Sequence, residues 1–494
     1  MKRLAIILIC LHQAVAVREL RRKDVEPIRA IIQKTYNIRS RPVARSDIDV
    51  GPPLILTSYI EQNKLAEARE AAAVDSKYLL PGIDSYSGYF TVNKQYNANL
   101  WFWYFPVMDQ PVEDTPWLIW LQGGPGSTSL FGLFTEIGPF TFEDNQLKEM
   151  MYSWGKNHSL LFIDNPVGTG YSFTDDDLGY ATNQTTIGEN LYEGLQQFLT
   201  VFPELRKAPL TIAGESYAGK YIPALGVQIL WHKHDGAHIN LHGLAMGNGF
   251  TDPITLMSLN KVVREVGLVD DHVANVVEKI EATAVEWLKN EEYENPYLYY
   301  NDLLDLIVTT ANVSNVYNYL AEAIELNGPF QDFVQTPEVR HALHVGNTTF
   351  SKGGNVLNKL IPEYMTSVKP WLEQLLEHYK VLVYNGHLDL MVPYKPSVST
   401  YESLKYSGAS EYRNAKRQPW YHDGIIAGYA RKGGNLLEVM VRDAGHMVPI
   451  DKPAPALALI TAFVRDISLD KDTAWLVPLE GASSALRSRS VSLD

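Results

Sequence analysis

The amino-acid sequence predicts an α/β fold, a mostly parallel doubly wound sheet carrying a helical cap insertion. Three observations lead there. The short apolar runs LLFID (160–164), LTIA (210–213), LHGLAMG (241–247) and KVLVYN (380–385) end in or just before Gly, Asp or Asn, as buried parallel strands do. Helical stretches such as ENLYEGLQQFLTVF (189–202) lie between them, and alternation of strand with helix is the mark of a doubly wound sheet. Residues 251–377 break that alternation and read mostly helical, which marks them as the cap.

The elements follow in order. MKRLAIILICLHQAVA has a basic start at Lys2 and Arg3, an apolar run over 4–11 and the small-x-small site Ala14-Val15-Ala16. Residues 1–16 are therefore expected to be a secretory signal peptide, and no apolar run approaches the ~18 residues of a membrane span. The single cysteine, Cys10, lies inside this segment, so the processed chain is expected to have no disulfide and no thiol chemistry. Residues 17–50 form a basic, irregular extension, in which Arg21-Arg22-Lys23 reads as a solvated charge cluster rather than a processing site. ILTSYIEQNKLAEAREAAAV (55–74) has helical spacing, and SGYFTV, NLWFWYF and WLIWL are aromatic and β-branched like strands. The core is expected in two parts, 51–250 and 378–468, the second holding the strand LLEVMVR (436–442) and the closing helix ALALITAFVRDI. Residues 469–494 read as a C-terminal tail.

Charge and punctuation narrow the function. The formal charge is −14, which disfavours nucleic acid as a partner and suits an acidic compartment. With the signal peptide, the expected destination is secreted or lysosomal/vesicular. Asn157, Asn183, Asn312 and Asn347 head N-x-[ST] triplets and are candidate glycosylation sites, Asn157 being expected inside the fold and unused. His232, His234, His238 and His242 have spacing that could suit a metal, but they sit in a loop around Asp235-Gly236 rather than on one helix face. No metal and no cofactor is expected.

The chemistry centres on Gly214-x-Ser216-x-Ala218-Gly219, directly after LTIA. A nucleophile elbow needs small residues two before and two after its serine, because the strand and helix backbones nearly touch there. This is the expected context of an α/β-hydrolase fold, whose triad runs nucleophile, acid, histidine along the chain. YNGHLDLMVP supplies Asp389 and DAGHMVPID supplies His446. His387 competes for the role of base but precedes the acid and breaks the order. LQGGPGSTS (121–129) follows a strand, and its glycines leave backbone N–H groups free to turn inward. With the N–H of Tyr217 they form a candidate oxyanion hole. A phosphate-binding loop is disfavoured because no Lys-Ser/Thr follows the glycines. The acid beside the serine, Glu215, has no place in this scheme.

Together, WLQGGPGSTSLFGLFTEIGPF (120–140), LLFIDNPVGTGYSF (160–173), GESYAGKYIP (214–223), MGNG (246–249), YNGHLDLMVP (384–393) and AGHMVPIDKP (444–453) resemble the serine carboxypeptidases. PLILTSYIEQNKLAEAREAAAV (53–74) is similar to the N-terminal region of the vitellogenic-like branch. The resemblance spans about 53–468 and implies an exopeptidase acting on peptides or proteins with a free C-terminus, with a homodimer left open. It implies that Gly124 and Tyr217 N–H groups form the oxyanion hole. It also implies that Glu215 pairs with Glu136, and that the pair, with the Gln122 amide and the Gly123 N–H, holds the substrate's terminal carboxylate. Met447 falls where the family lines the leaving side chain. Two departures stand out: Gln122 where Asn is frequent, and Ser127 where GGPGC is common. Two carboxyls in contact cannot both ionise cheaply, and a protonated one donates to a carboxylate, so acidic pH should favour binding. An esterase or acyltransferase on the same fold, or a non-catalytic binding or storage protein, remain the alternatives.

Overall fold

A ten-stranded mixed sheet carries the fold. The computed structural model describes residues 49–477 apart from 80–81, 109, 235–237, 323–325 and 327. The expected signal peptide, nearly all of the basic extension and most of the tail lie outside the described residues.

The strands of this sheet are β1 (Tyr86–Asn93), β2 (Ala98–Phe105), β3 (Trp117–Leu121), β4 (Ser159–Ile163), β5 (Leu210–Glu215), β6 (Leu241–Gly247), β7 (Lys380–Gly386), β8 (Gln418–His422), β9 (Ile425–Gly433) and β10 (Leu436–Val441). Their spatial order is β1-β2-β4-β3-β5-β6-β7-β10-β9-β8. From β4 to β10 every neighbour is parallel, and the edge pairs β1–β2, β2–β4, β10–β9 and β9–β8 are antiparallel. The central strands β3, β4 and β5 are buried along their whole length. That is why they read as continuous apolar runs with no alternation.

In β2 the pleat explains the unusual run NLWFWYF. Leu100, Phe102 and Tyr104 enter one core, and Trp101, Trp103 and Phe105 enter the other, the period-2 division of a strand covered on both faces. On the first face Phe90 stacks on Phe102 at 4.9 Å, and Phe198 meets Phe102 edge-on at 5.5 Å. Such aromatic pairs add about 0.5–1.5 kcal/mol each beyond their buried area.

The 55–74 segment departs from the single helix its spacing suggests. It forms a turn of helix at Thr57–Glu61 and then α1 (Leu65–Ala72). Asn63 adopts φ 55° between them, and one left-handed residue is enough to end a helix. The helices α2 (Gln184–Val201) and α3 (Ala218–Trp231) cover the first face. Asn183 caps α2 by accepting from the Thr186 N–H at 2.9 Å. Between β6 and β7 the chain is mostly helical. Its main pieces are α4 (Asp271–Lys289), α5 (Glu294–Ala311) and α6 (Gly354–Tyr364). The closing helix α7 (Pro453–Val464) packs on the second face.

Candidate active site

Ser216 stands at the junction of β5 and α3 with φ +60°. This is the left-handed region, strained for a residue with a Cβ. The strain is held by neighbours: Ser216 N–H donates to Gly247 O at 3.0 Å, and Ser216 O accepts from the N–H groups of Phe250 and Gly219 at 2.8 and 2.9 Å. The close packing explains the small residues. A Cβ on Gly214 would lie 2.2 Å from Leu121 O, and one on Gly219 would lie 2.5 Å from Phe250 N.

Asp389 follows β7 and His446 follows β10, so both arrive beside the elbow from C-terminal ends of parallel strands. His446 Nδ1 lies 2.6 Å from Asp389 Oδ2. A carboxylate only accepts, so Nδ1 carries the proton and Nε2 is left as an acceptor. Nε2 is buried and makes no hydrogen bond among the described residues. Ser216 and His446 line one cavity of about 310 Å³. Asp389 also accepts from Met391 N at 2.7 Å, Val392 N at 3.1 Å and Asn248 Nδ2 at 2.7 Å. His387 turns away, with Nδ1 3.3 Å from Val441 O.

The glycine-rich loop lies directly against the elbow. A Cβ on Gly123 would meet Tyr217 N at 2.6 Å, Ser216 Cβ at 2.7 Å and Glu215 O at 2.8 Å. Only glycine lets this backbone come so near the Tyr217 N–H. Gly124 adopts φ +112°. The far end of the loop is anchored by buried Asp164, which accepts from Thr128 Oγ1 at 2.6 Å, Ser129 N at 3.0 Å and Tyr171 N at 2.8 Å. Burial pushes the Asp164 carboxyl up to about 6. Beyond the loop, Gly126 and Gly353 touch backbone to backbone, a Cβ on Gly353 falling 2.0 Å from Gly126 O.

Glu215 and Glu136 meet beside this loop, both buried. Gln122 Nε2 bridges them, donating to Glu215 Oε1 at 2.7 Å and to Glu136 Oε1 at 3.3 Å. Its own oxygen accepts from Trp120 Nε1 at 2.8 Å, which fixes which end of the amide faces the acids. Burial raises the pKa of both carboxyls, and in Glu215 the neighbouring Glu136 charge raises it further. Glu136 Oε2 is buried without a hydrogen-bond partner among the described residues.

The cavity has two apolar walls, one from each core. Tyr217, Phe250, Tyr300, Tyr364 and Met391 belong to the first, and Phe131, Tyr317, Leu326, Phe350 and Met447 to the second. Met447, buried next to His446, stands in the second wall.

The remaining candidates lie apart. Asn183, Asn312 and Asn347 are exposed. Asn157 donates from Nδ2 to Thr461 Oγ1 and to Leu476 O, both at 3.1 Å, so its nitrogen is committed inside the fold. His232 stacks on Tyr192 at 4.9 Å and His242 Nε2 lies 3.1 Å from Asp466 Oδ2. No cluster able to hold a metal occurs among the described residues. Two residues of the site were missed as such. Asn248 and Asp164 both lie inside quoted motifs, but their roles depend on contacts with distant segments.

Comparison with known proteins gives one answer. The family model described as serine carboxypeptidase matches residues 77–466. The chain is 41% identical over 431 residues to the venom serine carboxypeptidase of Apis mellifera, covering 85% of this chain and 92% of that protein. It is 40% identical over 428 residues to the vitellogenic carboxypeptidase of Aedes aegypti, covering 84% and 90%. The crystal structure of Kex1(Δ)p, a prohormone-processing carboxypeptidase from Saccharomyces cerevisiae, aligns with a TM-score of 0.73 at 25% identity, over 82% of this chain and 98% of that one. Among the described residues no helix is long and apolar enough to cross a membrane. The chain therefore belongs to the serine carboxypeptidase family and is a serine-type carboxypeptidase with an α/β-hydrolase fold.

Proposed function

We propose that this chain releases the C-terminal residue of peptides or proteins through an acyl-enzyme, with Ser216 as nucleophile, His446 as proton carrier and Asp389 as its orienting acid. Ser216 Oγ attacks the last peptide carbonyl while His446 Nε2 takes its proton. The N–H groups of Gly124 and Tyr217 receive the negative charge that develops on the carbonyl oxygen. His446 then protonates the leaving amine, a water enters, and the ester to Ser216 is hydrolysed.

One observation carries the reading: the carboxyl pair Glu136–Glu215, bridged by Gln122, lies next to the serine. An acyl-transfer site alone has no need of it. With pKa values raised by burial, the pair holds a proton at acidic pH and donates it in a hydrogen bond to the substrate's terminal carboxylate. The Gln122 amide and the Gly123 N–H complete the seat. As pH rises through the pair's titration the donor becomes a charge that repels the substrate, so KM rises with pH. The likeness to a venom and a vitellogenic carboxypeptidase supports a secreted or vesicular destination, with exposed Asn183, Asn312 and Asn347 available for glycosylation.

The test compares a peptide acid with its C-terminal amide from acidic to neutral pH. The reading expects the acid to be preferred, and the preference to shrink as pH rises. Equal turnover of acid and amide at every pH would leave an esterase or acyltransferase in its place.

A further inference from the structure

The cavity's charges are few. Apart from Glu215 and His446, the one ionisable ammonium or carboxyl among its described lining residues is Lys352. Lys352 is exposed, and no ion pair engages it among the described residues. Its place is defined by its neighbours. Ser351 and Lys352 form a short strand paired with Thr169 and Gly170. Phe350, Ser351 and Lys352 follow one another along the cavity lining. Phe350 packs against Tyr171 at 4.9 Å and belongs to the second wall, with Tyr317, Leu326 and Met447. The next residue, Gly353, rests on Gly126 of the glycine-rich loop.

The carboxylate seat lies on the same side. Glu136 comes from the turn Leu133–Ile137, whose Leu133, Phe134 and Ile137 belong to the second core. On the proposed reading, a residue whose α-carboxylate is held at that seat has the second wall beside it, and Lys352 is an exposed lining residue of the same cavity. The opposite wall is built around Tyr217, Phe250 and Tyr364.

Resting on the proposed carboxypeptidase reading, we propose that Lys352 is a specificity-determining residue. It selects, at the leaving position, side chains that are apolar or acidic and selects against basic ones. The apolar wall takes the body of the side chain, and the exposed ammonium attracts a terminal carboxylate and repels an ammonium or guanidinium. The cleft thus sorts peptide C-termini by charge.

The experiment measures kcat/KM for peptides identical except for the last residue, which is Phe, Gln, Glu or Lys. It is run on the full chain, at a pH where the free Glu side chain is ionised, for the parent, Lys352→Ala and Lys352→Glu. Glu and Gln differ only in charge, so their ratio isolates the electrostatic effect. One exposed pair predicts a Glu/Gln ratio of about two- to fivefold in the parent, near unity in Lys352→Ala and inverted in Lys352→Glu. Lys/Gln moves the opposite way, Phe is little changed, and the effects shrink with added salt. A Glu/Gln ratio unchanged by both substitutions overturns the proposal. So does a uniform loss across all four peptides, which would make Lys352 a general anchor. No turnover of the Phe peptide by the parent would instead count against the carboxypeptidase reading itself.

Discussion

Asn248 donates from Nδ2 to Asp389 Oδ2 at 2.7 Å, the same oxygen that lies 2.6 Å from His446 Nδ1. The amide oxygen of Asn248 accepts from Gly386 N at 3.1 Å, so the side chain ties the loop after β7 to the end of β6. On the proposed mechanism Asn248 is a positioning residue: it touches no reacting atom and sets the direction of the carboxylate proposed to orient His446. Asn248→Ala should lower kcat about tenfold with KM nearly unchanged, since it leaves a buried acceptor short of a partner worth roughly 1–3 kcal/mol. Steady-state kinetics checks the split, and a KM effect equal to the kcat effect would contradict the assignment.

On the proposed mechanism, Asp389→Asn leaves the shape of the site intact but inverts the donor-acceptor relation with His446. It should cost on the order of 10⁴ in kcat. Ser216→Ala should cost several orders of magnitude and abolish labelling by an organophosphonate.

Ser216 also gives a stability prediction. Its φ of +60° costs a residue with a Cβ roughly 1–2 kcal/mol, and glycine escapes that cost at some loss of chain entropy. Ser216→Gly should therefore be inactive yet as stable as the parent or up to about 1 kcal/mol more stable. Urea unfolding at matched pH tests it; a clear loss of stability would mean that the elbow is not strained.

Gly123→Ala should behave in the opposite way. The added methyl would fall within 2.6–2.8 Å of Tyr217 N, Ser216 Cβ and Glu215 O, three atoms that sit on the rigid turn. We expect a loss of about 1–3 kcal/mol in stability and, on the proposed mechanism, at least a hundredfold loss in kcat, because the proposed oxyanion donors would move apart. Activity within a few-fold of the parent would show that the loop does not hold the oxyanion.

The acid pair makes stability depend on pH. Both glutamates have folded pKa values raised above the unfolded value by burial. Their contribution is fully present below the unfolded carboxyl pKa of about 4.3 and is lost as pH rises through the folded values. Glu215→Gln keeps an acceptor for Gln122 and removes the ionisation. Its melting temperature relative to the parent should therefore increase from acidic to neutral pH, while its KM for a peptide acid loses most of its pH dependence. Parallel melting curves for the two proteins across that range would refute the pair's titration.

What the sequence revealed divides along a physical line. β3, β5, β6 and β7 were legible because strands covered on both faces are continuous apolar runs. Ser216, Asp389 and His446 were legible because each lies in a short Gly-containing turn at a strand end, in an order that the fold dictates. Asn248 was hidden, since an asparagine after Gly247 reads as a turn residue until β7 is placed beside it. The contact between Glu136 and Glu215 was not in the spacing at all; it entered through resemblance, because the two residues meet only when β5 and the turn Leu133–Ile137 fold together. The two walls of the cavity were illegible for the same reason: which aromatic faces the cleft depends on how the cap helices settle. The break at Asn63 shows the limit of periodicity, which records a continuous apolar face and misses the single left-handed residue that interrupts it.

The backbone contact between Gly126 and Gly353 has a consequence for anyone redesigning this enzyme. A Cβ on either glycine would strike the other's backbone, so the approach of the cap to the glycine-rich loop at this joint depends on both residues having no side chain. Grafts of foreign cap helices should survive only if they preserve the 350–354 backbone. The side chain at 352 stands next to that joint and is free to be changed in such grafts, whereas Tyr300 and Tyr364 are tied to Met391 and Tyr217 beside the candidate site.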